Sequence, residues 1–158
     1  MKKIFICFVA FALISLVFTG CSRSQDSGQP PVSVKTKDGS ATVESGTGSL
    51  SVATGKSVAL PKGYPKDIFP VYEGSFISMV TELEGSYVIS AFSKDEVKKV
   101  IAFYEKVLEG AKVNMDTKTD ESLTSMGTKS GYAYTMDVGK SPEKGYQTII
   151  TISLQPAE

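Results

Sequence analysis

The chain of 158 residues contains no histidine and no tryptophan, and only two cysteines. Without histidine it lacks the Ser–His and Cys–His pairs that activate nucleophiles, and also the commonest general base of enzymes. It equally lacks the usual set of cysteine and histidine ligands of a zinc site. These absences exclude the commonest catalytic arrangements and leave paired carboxylates as the main acid–base chemistry that the chain could use.

The chain also has no excess of charge of either sign, with 17 basic and 17 acidic residues. Lys2 and Lys3 lie in an N-terminal leader that has no acidic residue, so 15 basic and 17 acidic residues remain beyond it, a net charge of −2. Binding to nucleic acid or to an anionic membrane surface depends on a basic surface. The composition therefore predicts no nucleic-acid partner.

Residues 1–20 have the layout of a signal peptide. A short positive start, Met1-Lys2-Lys3, precedes an apolar run from Ile4 to Phe18 that only Ser15 interrupts. This run is shorter than the roughly 20 residues of a membrane-spanning helix. We predict a cleaved leader over residues 1–20, and the alternative is an uncleaved membrane anchor.

The leader ends in Phe18-Thr19-Gly20-Cys21, a segment that resembles the lipobox of bacterial lipoproteins. The resemblance implies cleavage before Cys21 and acylation of its thiol. The predicted membrane attachment is therefore the lipid on Cys21, with palmitate among its acyl chains. Cys7 lies inside the leader, which leaves Cys21 without a partner for an internal disulfide. Two or three acyl chains on one residue hold a protein stably at a membrane. Because Ser22 is not aspartate, the resemblance favours the outer membrane in a host that has two membranes.

Composition divides the rest of the chain into three parts. Residues 21–31 are polar, and we predict a disordered tether there. Residues 32–74 are expected to form a short β hairpin or meander and a Pro-rich strap, and residues 75–158 a folded domain. The first of these segments, up to residue 59, fits either a small β meander or a loose Gly/Ser/Thr linker. The strap is expected to lie across the edge of the domain, because three prolines prevent a regular ladder there: Pro61, Pro65 and Pro70.

The domain begins with a predicted hairpin and an amphipathic helix. Phe76 to Leu83 and Ser86 to Phe92 alternate apolar and polar residues around a turn at Glu84-Gly85. Ser93-Lys94-Asp95-Glu96 matches a capping box, and an apolar stripe at spacings of three and four follows it. These features predict a helix of about 16 residues that ends at Gly110.

Further strands follow the predicted helix. Lys112 to Thr117 is a candidate strand, a hairpin is expected to join Glu121–Thr128 to Tyr132–Val138, and Tyr146 to Leu154 is the predicted last strand. The predicted fold is α+β, with a largely antiparallel sheet in ββαβββ order and one amphipathic helix packed on one face. The extended Pro-rich strap precedes it.

Several short motifs resemble a family of small bacterial envelope lipoproteins of unknown function. They are Leu60-Pro61-Lys62-Gly63-Tyr64-Pro65-Lys66-Asp67, Pro70-Val71-Tyr72-Glu73-Gly74 and Val100-Ile101-Ala102-Phe103-Tyr104. The resemblance spans roughly residues 32–154. It implies the ββαβββ architecture and an envelope location, and it carries no activity.

Two groups of side chains are candidates for a site. Asp116, Asp120 and Glu121 cluster after a predicted strand, where they form either a solvated acidic loop or a weak calcium site, since oxygen ligands suffice for calcium. An aromatic group either packs in the core and strap or lines a groove that takes a partner segment. Its members are Tyr64, Phe69, Tyr72, Phe76 and Tyr87.

These observations favour a lipid-anchored envelope lipoprotein that acts as a non-catalytic binding or scaffolding module. Its expected partners are the membrane, through Cys21, and an envelope protein. No cofactor is predicted. The alternatives are a small solute-binding lipoprotein and a carboxylate- or metal-dependent hydrolase.

Overall fold

The computed structural model describes residues 32–37 and 39–157. The predicted leader, Cys21 and the predicted tether lie outside these residues. The described part forms nine β strands and one α helix, which are, in chain order, β1 (Ser33–Lys37), β2 (Ser40–Ser45), β3 (Gly48–Ala53), β4 (Phe76–Leu83), β5 (Ser86–Ser93), α1 (Val97–Val107), β6 (Lys112–Lys118), β7 (Ser122–Lys129), β8 (Tyr132–Lys140) and β9 (Thr148–Pro156).

All nine strands belong to one antiparallel sheet, in the order β1-β2-β3-β4-β5-β9-β8-β7-β6. The last strand of the chain, β9, therefore lies near the middle of the sheet, between β5 and β8. Most neighbours are joined by tight turns, and Gly39, Gly85 and Gly131 take the positive φ that such turns need. The two edges of the sheet are β1 and β6.

The hydrophobic core lies on one side of this sheet, which we call the core face. Alternate residues of the central strands are buried there, such as Ile89 on β5, Met136 on β8 and Ile152 on β9. Helix α1 covers the β7 and β8 part of this face through Val97, Val100, Ile101 and Tyr104. This alternation is the one that the sequence predicted for Tyr87, Ile89 and Ala91.

The Pro-rich strap, residues 54–75, completes the layer over the core face. The Tyr64 ring meets the Tyr87 ring edge-on at 5.6 Å between centroids, and the Phe69 ring lies 5.8 Å from that of Tyr134. The strap therefore crosses the core face from β5 to β8 and does not run along the edge of the domain. The prolines suit this path, because a covering segment needs no ladder hydrogen bonds.

Helix α1 begins later and is shorter than the capping motif predicted. Ser93 is the last residue of β5, and its hydroxyl accepts a hydrogen bond from the Asp95 N–H at 3.1 Å. The helix N-cap is Glu96, and α1 has 11 residues. The predicted capping box at Ser93 is therefore wrong. In the part of the chain that the structure describes, no helix is long and apolar enough to span a membrane.

The predicted ββαβββ α+β fold is wrong, because the molecule is dominated by its nine-stranded sheet. The four segments expected as strands after the helix all form strands, one more than the ββαβββ order counts, and residues 33–53 contribute three more strands to the same sheet. The N-terminal strands carry few apolar residues, and of these Ala53 alone, at the end of β3, packs against the core. The hydrophobic pattern therefore gave no sign that they extend the sheet of the domain.

Candidate binding surface

The side of the sheet opposite α1 and the strap, which we call the open face, has no covering layer in the described residues. Directly paired residues of neighbouring strands place their side chains on the same face, so the register defines rows that cross the sheet. One such row takes one residue from every strand, from β6 to β1: Met115, Met126, Thr135, Ser153, Val88, Thr81, Leu50, Val43 and Val34.

The next row of the open face runs parallel to the first. It contains Thr117, Thr124, Asp137, Thr151, Ser90, Met79, Val52, Ala41 and Thr36. Of the residues in these two rows Asp137 alone is charged, although 22% of the whole sequence is charged. Its carboxylate accepts a hydrogen bond from the Thr124 hydroxyl at 2.7 Å. The open face is thus a broad and nearly uncharged surface.

The first three strands point their apolar side chains toward the open face and away from the core. Val34, Val43, Leu50 and Val52 are 69%, 38%, 38% and 42% exposed. The opposite side of the same strands is polar, where the Thr42 and Ser51 hydroxyls lie 2.8 Å apart and Lys35 pairs with Glu44 at 2.6 Å.

In an isolated domain, burial of apolar surface would favour the opposite orientation, with the apolar side chains of β1–β3 directed toward the core. A shift of one residue in register would turn the four apolar side chains over and expose the polar ones, so register is normally specified by the buried side. Here the apolar side of β1–β3 meets solvent. The arrangement suits a surface that becomes covered by something else.

A shallow depression of about 220 Å³ lies on the open face beside Gly48. Leu83, which is 50% exposed, and Leu50 are among the residues that line it. Gly48 leaves this space because a Cβ there would come within 2.3 Å of the Glu82 carbonyl oxygen, so a larger residue cannot occupy the position in this backbone. The open face therefore has a projecting leucine next to a hole.

An aromatic cluster closes one end of the open face. The ring of Tyr146 lies 5.5 Å from that of Phe92 and 6.0 Å from that of Phe76, centroid to centroid. Phe76 and Phe92 are directly paired on β4 and β5. This cluster extends the apolar part of the open face beyond β1–β4 to the central strands.

The five aromatic residues that the sequence suggested for a partner groove are divided between the two sides of the sheet. Tyr64, Phe69 and Tyr87 are 5%, 0% and 5% exposed and pack in the core. Phe76 lies on the open face, and Tyr72 lies where the strap meets α1, with its ring edge-on to that of Phe103. The structure therefore does not bring the five together on one surface.

Tyr72 takes part in a small polar network at the start of α1. Its hydroxyl donates to Asp95 at 2.6 Å, and the Lys99 ammonium donates to the same carboxylate oxygen at 2.9 Å. The Tyr72 hydrogen bond, followed by Lys99, lowers the pKa of Asp95 below its ordinary value. The Tyr72 backbone N–H also donates to the Tyr104 hydroxyl at 3.0 Å. The network joins the strap to the helix and is structural in character.

Of the three acidic residues considered for calcium, Asp120 and Glu121 each pair with a lysine, and Asp116 lies on the exposed edge strand β6. Asp120 lies 3.8 Å from Lys98, and Glu121 lies 2.6 Å from Lys140. These four side chains line a cleft of about 460 Å³ beside the start of α1. Among the described residues, no group of three or more acidic, cysteine or histidine side chains is arranged to hold a metal ion.

Comparison with protein-family models, with curated proteins and with solved structures finds no match for this chain. The resemblance to small envelope lipoproteins, carried by the lipobox and the strap motifs, therefore stays a prediction. The geometry of the chain is therefore the basis for assigning it a function.

The open face was not among the sites suggested by the sequence. The sequence does contain a pattern that points to it, because apolar residues alternate with serine, threonine and charged residues throughout residues 33–53. The alternation indicates strands with one apolar side but does not say on which side the core lies. The pairing of β3 with β4 decides that, and this contact is not local in sequence.

Proposed function

We propose that this chain is a lipid-anchored lipoprotein of the bacterial envelope that acts as a non-catalytic binding module, with the open face of its sheet as the docking surface. The observation that carries the proposal is the orientation of β1–β3, whose apolar side chains point away from the core. The lipid anchor rests on the lipobox-like sequence at Cys21.

The exposed apolar side chains are numerous enough to matter for binding. Val34, Val43, Leu50, Val52 and Leu83 each keep between 38% and 69% of their surface in water. At about 25 cal/mol per Å² of apolar area, covering each would contribute roughly 1 kcal/mol, or about 5 kcal/mol in all. That is comparable with the lower estimates of what association costs in lost translational and rotational freedom.

The shape and charge of the open face favour a protein surface as the partner. The two rows of the open face contain no lysine or arginine, so they offer no cation to phosphates, which disfavours nucleic acid as a ligand. The depression of about 220 Å³ is smaller than the roughly 300–1,000 Å³ of small-molecule pockets. The larger cleft beside α1 is lined by side chains that already pair with each other, which disfavours a solute site there.

The predicted anchor would hold this surface near the membrane. Ten residues separate Cys21 from Val32, and at most about 3.5 Å per residue allows them to span roughly 35 Å. The strands that carry the apolar residues are the first to follow. A partner in the same membrane, or attached to it, is therefore within reach of the open face.

Site-specific photo-crosslinking in the envelope tests the proposal with a matched pair of positions. Leu50 and Ser49 are neighbours on β3 with side chains on opposite sides of the sheet. A photoreactive residue at position 50 should give a defined crosslinked product, and the same residue at position 49 should not. Equal crosslinking at the two positions, or none at position 50, would refute the open face as the docking surface.

A further inference from the structure

We infer that strands β1–β3 form a detachable unit, the N-terminal meander (residues 33–53), which separates from β4 and pairs with it again while the rest of the domain stays folded. The open face is complete only while the meander is attached, because four of its exposed apolar residues lie there: Val34, Val43, Leu50 and Val52. This conformational change does not depend on a partner at that face.

The meander joins the rest of the sheet along one short ladder. Five residue pairs link residues 48–52 of β3 to β4. A further backbone hydrogen bond connects two turns, from the Glu84 N–H to the Thr47 carbonyl at 3.3 Å. Strand β5, in comparison, has seven residue pairs with each of its two neighbours. The junction between β3 and β4 is therefore a weak point of the sheet.

Burial of apolar side chains also holds the meander less firmly than the central strands. None of the described side chains of the meander is buried, and Ala53 alone packs against the core. The central strands bury Ile89, Met136 and Ile152 completely. Parts of a protein with few buried apolar contacts open at a lower free-energy cost than its core strands. The meander should therefore open while β5, β8 and β9 stay closed.

A hinge lies where the meander ends and the strap begins. Residues 54–56 are exposed, and Gly55 has a φ of 149° with open space where a side chain would lie. The N–H groups of Thr54 and Lys56 donate to the Gly39 carbonyl, at 2.6 and 3.3 Å, which belongs to a turn of the meander itself. Glycine tolerates a wide range of backbone angles, so this segment can change direction when the meander leaves β4.

The strap is fixed directly after the hinge. The Ile77 N–H on β4 donates to the Ser57 hydroxyl at 2.8 Å, and the Val58 N–H donates to the Ile77 carbonyl at 2.9 Å. Val58 is also buried. The strap can therefore keep its contacts with β4 and the core while the meander is detached.

Gly48 controls how closely the meander approaches β4. A Cβ at this position would lie 2.3 Å from the Glu82 carbonyl oxygen, so alanine would force the two strands apart at one end of their ladder. Gly139 on β8 offers a matched comparison, because a Cβ there would meet no atom within 4 Å. Alanine at position 48 should therefore loosen the meander, and alanine at position 139 should not.

Hydrogen exchange followed by mass spectrometry, with the full-length protein in mild detergent, tests the inference. After correction for intrinsic rates, amides of β2 and β3 should exchange at least a hundredfold faster than those of β5, β8 and β9. Gly48→Ala should accelerate exchange throughout β2 and β3 at least tenfold further and leave the central strands unchanged. Gly139→Ala should leave both sets of amides unchanged.

A disulfide across the junction separates detachment at β4 from fraying of the outer strands. Leu50 and Thr81 are directly paired on β3 and β4, where Cβ atoms are close enough for a disulfide. In Leu50→Cys/Thr81→Cys, oxidation should slow exchange in both β2 and β3 at least tenfold, and reduction should restore it.

Three results would overturn the inference. Equal exchange in the meander and the central strands, or acceleration by Gly48→Ala that reaches β5 and β9, would mean that the domain opens as a whole. Exchange in β2 that the disulfide does not slow would mean that the outer strands leave β3 and that β3 stays on β4. These measurements need no partner, so their outcome is independent of the crosslinks from position 50.

Discussion

Phe69 lies in the Pro-rich strap, and removal of its side chain is expected to cause a large loss of stability. Its side chain is fully buried, 6.2 Å from the ring of Tyr132 and 5.8 Å from that of Tyr134, and its carbonyl accepts the Tyr64 hydroxyl at 2.7 Å. Phe69→Ala would leave a cavity between the strap and β8. Because deletion of a buried phenyl ring loses both transfer free energy and packing, we expect the free energy of unfolding to fall by about 3–5 kcal/mol.

The matched control for this substitution is Phe76→Ala. Phe76 also makes a ring contact, at 6.0 Å to Tyr146, but it lies on the half-exposed open face. One such contact and partial burial predict a loss of about 1 kcal/mol. For a domain of this size, 1 kcal/mol corresponds to about 4 °C in Tm, so we expect a decrease of about 12–20 °C for Phe69→Ala and about 4 °C for Phe76→Ala.

Urea unfolding followed by circular dichroism, with a soluble form that begins at Ser22, measures both variants. The large loss of stability is expected only if the strap is part of the core and not a covering that can detach. If Phe69→Ala destabilises the protein no more than Phe76→Ala does, the strap contributes no core packing and this account of the fold is wrong.

Two further predictions concern the anchor and the network at the start of α1. Cys21→Ser should abolish metabolic labelling with palmitate and release a folded, soluble protein; a variant that stays at the membrane would show an uncleaved leader in place of a lipid. Tyr72→Phe should lower stability at pH 7, because it removes the hydrogen bond that most lowers the pKa of Asp95. Since the folded pKa of Asp95 is depressed, that stabilisation is present above its ordinary pKa of about 4 and is lost as the pH falls through the folded value. Wild type and Tyr72→Phe should therefore converge in acid, and a difference that stays constant from pH 7 to pH 2.5 would contradict the assignment.

The sequence was informative where the side facing the core is the apolar side. Tyr87, Ile89 and Ala91 alternate with half-exposed residues, and the structure confirms both the strand and its buried side. The apolar stripe of α1 was equally informative, because it predicted the buried side of the helix. Val97, Val100, Ile101 and Tyr104 are all buried. In these elements the local pattern and the tertiary packing favour the same residues, so the pattern alone predicts the structure.

The sequence misled where local and tertiary requirements differ. Ser93 has the spacing of a helix cap, but its partners in the sheet hold it in β5, and the helix starts only after Glu96. In β1–β3 the apolar side faces away from the core, so the hydrophobic pattern left open a small β meander or a loose linker and did not show that these strands extend the sheet of the domain. The same holds for the proposed docking surface, because it consists of residues whose exposure only the strand register reveals.

The meander of β1–β3 has a mechanical consequence under the proposal that a lipid on Cys21 holds the protein by its N-terminus. Of their side chains Ala53 alone packs against the core, and the strands join the rest of the molecule mainly through the ladder between β3 and β4. A pull on the chain before Ser33 acts on an edge strand, so the ladder bonds of β1 would break one after another, and β2 and β3 would follow. Peeling off residues 33–53 would add roughly 70 Å of chain at about 3.3 Å per residue while the core remained folded. The strands that carry the proposed docking surface would thus form an extensible spacer under load, and a bound partner would hold that spacer closed.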